Sequence, residues 1–80
     1  MPRLLPGETV IDASVRIEEL VGAHLVLLAT DASGWSMLFR DPEDGRLWEH
    51  SYPHSERHGG GPPRLSVISL EEARGRYSIA

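Results

Sequence analysis

The chain has 80 residues, no cysteine, 12 acidic residues against 8 basic ones, and a net charge of −4 with histidine neutral. That length holds one small domain, and the missing cysteine excludes disulfides, thiolate metal sites and thiol catalysis. Excess acid repels phosphate backbones, so nucleic acid is not an expected ligand; with no long apolar run for a leader or a span, no membrane is expected either, and a reducing cytoplasm is the expected setting.

Pro2, Pro6 and Gly7 mark residues 1–11 as a short arm with at most one edge strand. Asp12 or Ser14 can cap a helix over 13–21, with Ile17, Leu20 and Val21 on one face and Gly22 as its stop. The run His24–Ala29 is almost wholly apolar and predicts a buried strand at 24–29. After the turn-forming Asp31-Ala32-Ser33-Gly34, Trp35, Met37 and Phe39 alternate with polar or smaller neighbours, predicting a strand at 35–40. Asp41-Pro42-Glu43-Asp44-Gly45 is a turn: proline presets φ, the acids bond back to the backbone, and glycine takes positive φ. A strand at 46–52 then places Arg46, Trp48, His50 and Tyr52 on one face and closes a hairpin.

Residues 53–63 break all periodicity, because three glycines and two closing prolines suit neither helix nor central strand. Leu65, Val67 and Ile68 supply a strand at 64–68. Ser69 with Glu72 forms a capping box for a helix at 70–76. The expected fold is α+β: a single domain over 1–80, with an antiparallel sheet of about four strands and both helices packed on one sheet face.

Little in this chain spells out catalysis. His50, His54 and His58 recur every four residues, but Pro53 and the glycines deny them the helix that would make a ligand stripe. A loop site for zinc on His54, Glu56 and His58, serving a small metal-dependent hydrolase, is one reading; a Ser-His-acid set from Ser51, Ser55 and the same histidines lacks a nucleophile elbow. Gly59-Gly60-Gly61 could cradle a phosphate, yet no lysine and no helix follow. Neither a catalytic residue nor a metal or other cofactor is therefore expected. Trp35 and Trp48 are expected to hold the core together, and Glu43, Asp44, Glu49 and Glu56, with Tyr52 and His58, to form a rim for a basic partner.

One stretch is specific. Gly34-Trp35, Asp41-Pro42, Asp44-Gly45-Arg46, Trp48-Glu49, Tyr52-Pro53, Ser55-Glu56 and His58-Gly59-Gly60-Gly61-Pro62-Pro63 together resemble the immunity protein 27 family of bacterial polymorphic toxin systems. Arg16-Ile17 upstream and Glu71-Glu72-Ala73 to Tyr77 downstream extend the resemblance over residues 12–77, while His50 departs from the apolar or hydroxyl residue expected between Trp48 and Tyr52. The resemblance implies a non-enzymatic cytoplasmic protein that binds and neutralises a cognate secreted or contact-delivered toxin, a basic nuclease being the kind an acidic inhibitor suits. It assigns Pro53 and Gly59 to Gly61 a structural part in the motif. A monomer or small homo-oligomer is expected, and a generic interaction domain is the other reading besides the hydrolase.

Overall fold

The computed structural model describes residues 3–52 and 62–77. Among them lie β1 (Val10–Ile11), α1 (Ser14–Ala23), β2 (Val26–Thr30), β3 (Met37–Arg40), β4 (Leu47–Ser51), β5 (Arg64–Ile68) and α2 (Leu70–Arg76). The strands form one five-stranded antiparallel sheet in the order β1-β5-β4-β3-β2. The fifth strand comes from the N-terminal arm: Val10 and Ile11 pair with Ser66 and Leu65, and the Val67 N–H donates to Thr9.

Register assigns the two faces. Phe39 lies opposite Trp48 and Trp48 opposite Val67, while Leu38 lies opposite Glu49 and Glu49 opposite Ser66. Successive side chains in a strand point to opposite faces, so these are two separate rows. The first row joins Ile17 and Leu20 of α1, with Leu4, Ile11, Leu25 and Leu65, in the larger core; the second joins Ala73 of α2 and Tyr77 with Leu38 and Ile68. The helices therefore cover opposite faces, a correction to the expected one-faced sandwich. The cause is alternation itself: β3 and β5 each offer apolar residues on both sides, and an unshielded second row would face water. Each fully buried large side chain contributes about 1.5–3 kcal/mol, and Trp48, Ile17, Leu20, Leu38 and Leu65 all qualify.

The helix ends differ in kind. At α2 the expected capping box is complete, with the Glu72 N–H donating to Ser69 Oγ at 3.0 Å and Ser69 N–H to Glu72 Oε1 at 3.3 Å. At α1 neither expected cap is used: Ala13 is the N-cap, and Asp12 pairs with Arg64 across the β1–β5 seam at 2.8 Å. The helix also runs past Gly22 to Ala23, because the N–H groups of His24 and Leu25 both return to the Leu20 carbonyl.

Strand β2 corrects another expectation. Its apolar run reads as buried, yet it is the sheet edge, and Val26, Leu27 and Leu28 are all exposed. Its pairing with β3 is interrupted at Leu28, since Leu27 pairs with Phe39 but Ala29 with Leu38. Such a bulge twists an edge strand away from casual pairing. The two turns flanking β3 each use a glycine at positive φ, Gly34 at 79° and Gly45 at 77°. Arg46 then fastens the arm to the second turn, donating to the carbonyls of Glu8 (2.7 Å) and Leu5 (3.0 Å) while its guanidinium lies 5.1 Å from the Trp48 ring.

Candidate partner-binding surface

The residues expected at the rim fall into separate places. Glu43 and Asp44 stand exposed on the turn between β3 and β4. That turn is built as its sequence requires: Asp41 Oδ1 accepts from the Glu43 N–H at 2.8 Å, and Asp44 Oδ1 from the Arg46 N–H at 3.0 Å. The Arg46 backbone N–H and guanidinium hold the Asp44 carboxyl below its usual range. Tyr52 lies at the other end of β4. Six residue steps of extended chain lead from Arg46 to Tyr52, about 20 Å at the usual strand rise.

Glu49, between them, does not reach the rim. It is only 8% exposed, on the α2 face, with Arg76 Nη1 donating to one carboxylate oxygen at 2.7 Å and the Tyr77 hydroxyl to the other at 2.9 Å. Strand parity places Glu49 opposite Leu38, so its side chain must enter the layer beneath α2. Burial first, and then the Glu49 hydrogen bond, push the Tyr77 phenol well above its ordinary range, which keeps it a donor. The partner-facing expectation for Glu49 gives way to a structural tie.

The two tryptophans part company. Trp48 is fully buried as expected, whereas Trp35 is 60% exposed, which overturns its place in the core. Trp35 precedes β3, directly after the Asp31–Gly34 turn and outside the strand pairing, which begins at Met37. The signal was its position: a residue following a turn glycine need not yet have entered the sheet. Its ring meets Tyr52 edge-to-face at 5.9 Å, and Tyr52 meets His50 in the same manner at 5.4 Å. Buried His50 has its imidazole held below the usual value by desolvation. An exposed indole braced on a half-buried phenol, itself seated on a buried imidazole, is an aromatic anchor with little freedom left to lose.

Pro53, His54, Ser55, Glu56, His58, Gly59, Gly60 and Gly61, and every expectation placed on them, lie outside the described residues. One cluster went unread in the sequence. His24, which ends α1, meets the turn: its Nε2 is 2.9 Å from Asp41 Oδ1, and His24, Asp41 and Glu43 each offer a ligand atom within 4.8 Å of the other two. His24 and Asp41 are seventeen positions and two whole strands apart, so no local spacing announces the pair.

The family model described as immunity protein 27 matches residues 7–69. The chain belongs to the immunity protein 27 family. The match runs from β1 through β5 and includes the turn acids, Trp35, Trp48 and Tyr52. It starts earlier and stops sooner than the resemblance over 12–77, leaving α2 beyond it. Among curated proteins and among solved structures, nothing matches the chain. Membership of the immunity protein 27 family fits a binding role, and no described helix is long and apolar enough to cross a membrane.

Proposed function

We propose that this protein binds a cognate toxin of a bacterial polymorphic toxin system in the cytoplasm and blocks it without turnover. Family membership over residues 7–69 is the observation that carries this reading. The surface supports it in a second way. Aromatic residues with few rotamers dominate the energetics of protein interfaces, and Trp35 backed by Tyr52 is an anchor of that type.

Acids supply the second part of the contact. Glu43 and Asp44 sit at the opposite end of the β3–β4 hairpin, and the domain measures 35 × 29 × 20 Å. A standard interface takes about 800 Å² per partner, roughly 30 Å across, so one toxin surface can span both ends. Glu56 and His58 belong to the same proposed contact. With a net charge of −4, a basic toxin such as a nuclease is the partner whose encounter this protein speeds, and nucleic acid itself is not.

Co-expression with its cognate toxin tests the reading. Growth is rescued and a stable complex is isolated when the proposal holds. Equal killing with and without this protein, together with no complex by size-exclusion chromatography, overturns it.

A further inference from the structure

The geometry points to a divalent metal site, of the kind that takes zinc, formed by His24, Asp41 and Glu43 where the end of α1 meets the β3–β4 turn. These three residues offer one imidazole nitrogen and two carboxylate oxygens that all lie within 4.8 Å of one another. Zinc bonds of about 2.0–2.1 Å in a tetrahedral site place neighbouring ligand atoms about 3.3 Å apart. Zinc replaces the proton in the 2.9 Å hydrogen bond between His24 Nε2 and Asp41 Oδ1, and that proton is released to solvent. The gap has to open by a few tenths of an ångström, and Glu43 has to swing inward.

A second, independent observation concerns Asp41. The residue is fully buried, and its Oδ1 is satisfied by His24 and by the Glu43 N–H. The same carboxyl group carries a second oxygen, Oδ2, that is buried and has no hydrogen-bond partner among the described residues. A buried carboxylate oxygen without a donor is costly, and such groups mark places where a bound ion or water completes the structure. A cation held by both oxygens of the Asp41 carboxylate satisfies Oδ2 and relieves the negative charge at once.

Three further features favour a cation there. His24 is the C-cap of α1, so the negative end of the ten-residue helix faces the site. The Glu43 carboxylate has no ion-pair partner among the described residues, whereas Asp44 beside it is committed to Arg46 at 2.6 Å. Glu43 is exposed, which leaves an entry path and a position for water as fourth ligand. The donor set selects the metal. An imidazole nitrogen favours zinc and its transition-metal neighbours over magnesium and calcium, which prefer oxygen throughout. The bound ion would clip α1 to the hairpin, so its effect is on the stability of the fold.

The test uses the full, untagged chain, treated with chelator and titrated with zinc chloride by calorimetry, and needs no toxin. The expected result is one zinc per chain and a Tm that rises with zinc concentration. Glu43→Gln is expected to weaken zinc at least about tenfold while leaving the Tm of the metal-free protein unchanged, and His24→Gln to weaken it further. Paired replacement of His54 and His58 by alanine is expected to leave zinc binding intact. No stoichiometric binding by about 1 mM zinc overturns the site, as does binding that survives Glu43→Gln and His24→Gln but is lost in the paired alanine variant. Failure of toxin binding does not touch this result, and failure of zinc binding does not touch the toxin reading.

Discussion

The Tyr77 hydroxyl donates to Glu49 Oε2 at 2.9 Å across 28 residues of sequence. Arg76, the last residue of α2, takes the other carboxylate oxygen. One acid in the middle of the sheet thus fixes the end of the C-terminal helix with both of its oxygens. Glu49→Ala strands the buried phenol and is expected to cost about 2–3 kcal/mol, Tyr77→Phe about 1–2 kcal/mol. The double variant is expected to lose less than the sum, because each single change already breaks the shared bond. Urea denaturation measures all three. Additive losses would show that the two side chains act separately.

Trp35 and Trp48 provide a matched pair for separating binding from folding. Trp48 is enclosed by Phe39, Leu65 and α1, so Trp48→Ala is expected to cost about 3–5 kcal/mol, enough to unfold a domain of this size. Trp35→Ala removes a mostly exposed ring and one edge-to-face contact with Tyr52, and is expected to cost no more than about 1 kcal/mol. The same change is expected to weaken the toxin complex by about 2 kcal/mol, roughly thirtyfold in Kd. Thermal melts with titration calorimetry read both. A Trp35→Ala protein that binds its toxin unaltered places the anchor elsewhere.

Local chemistry made much of this fold legible. The capping box at Ser69 and the hairpin around Asp41–Gly45 are short-range devices, and both stand where the residues predict them. Period-two alternation also located β3 and β4 to within two residues. What failed was whatever depends on distant partners. The apolar content of β2 is the same in a central strand and at an edge, and only the sheet order makes it an edge. Glu49 looks like a surface acid until Leu38 across the ladder and Arg76 from the C-terminus define its surroundings. The side of the sheet taken by each helix likewise follows from register, which no single segment encodes.

Glu8 reports on acid stability. The guanidinium of Arg16 hydrogen-bonds its carboxylate, the Leu5 N–H adds to this, and together they bring its pKa down from 4.5 to about 2. A folded-state value below the unfolded one means the unfolded chain takes the proton first. The stabilisation is therefore complete above pH 4.5 and is lost as pH falls towards 2. The pair is partly solvated, so its worth is about 0.5–1 kcal/mol. Glu8→Gln is expected to be less stable than the wild type at pH 7 by that amount, with the two melting curves converging by pH 2. A constant gap across that window would mean that the carboxylate charge is not what Arg16 holds.

His50 governs a higher and separate window. Burial disfavours its charged form and lowers its pKa from the usual 6.5, and its Nδ1 is enclosed without a hydrogen-bond partner among the described residues. The unfolded chain, with an ordinary imidazole, binds the proton more readily than the folded one. Stability is thus full above pH 6.5 and falls as pH drops below it, by at most about 1.4 kcal/mol per pH unit. His50→Leu keeps the apolar contact with Leu65 and Met37 across the ladder while removing both the proton site and the orphaned nitrogen. Losing the edge-to-face contact with Tyr52 costs about 0.5–1 kcal/mol, and removing the unpaired polar atom offsets it. The variant is therefore expected to match the wild type at pH 7.5 and to be the more stable of the two at pH 5, as read by Tm across that range. Parallel curves for the two proteins would show that His50 takes its proton equally well in the folded and unfolded states.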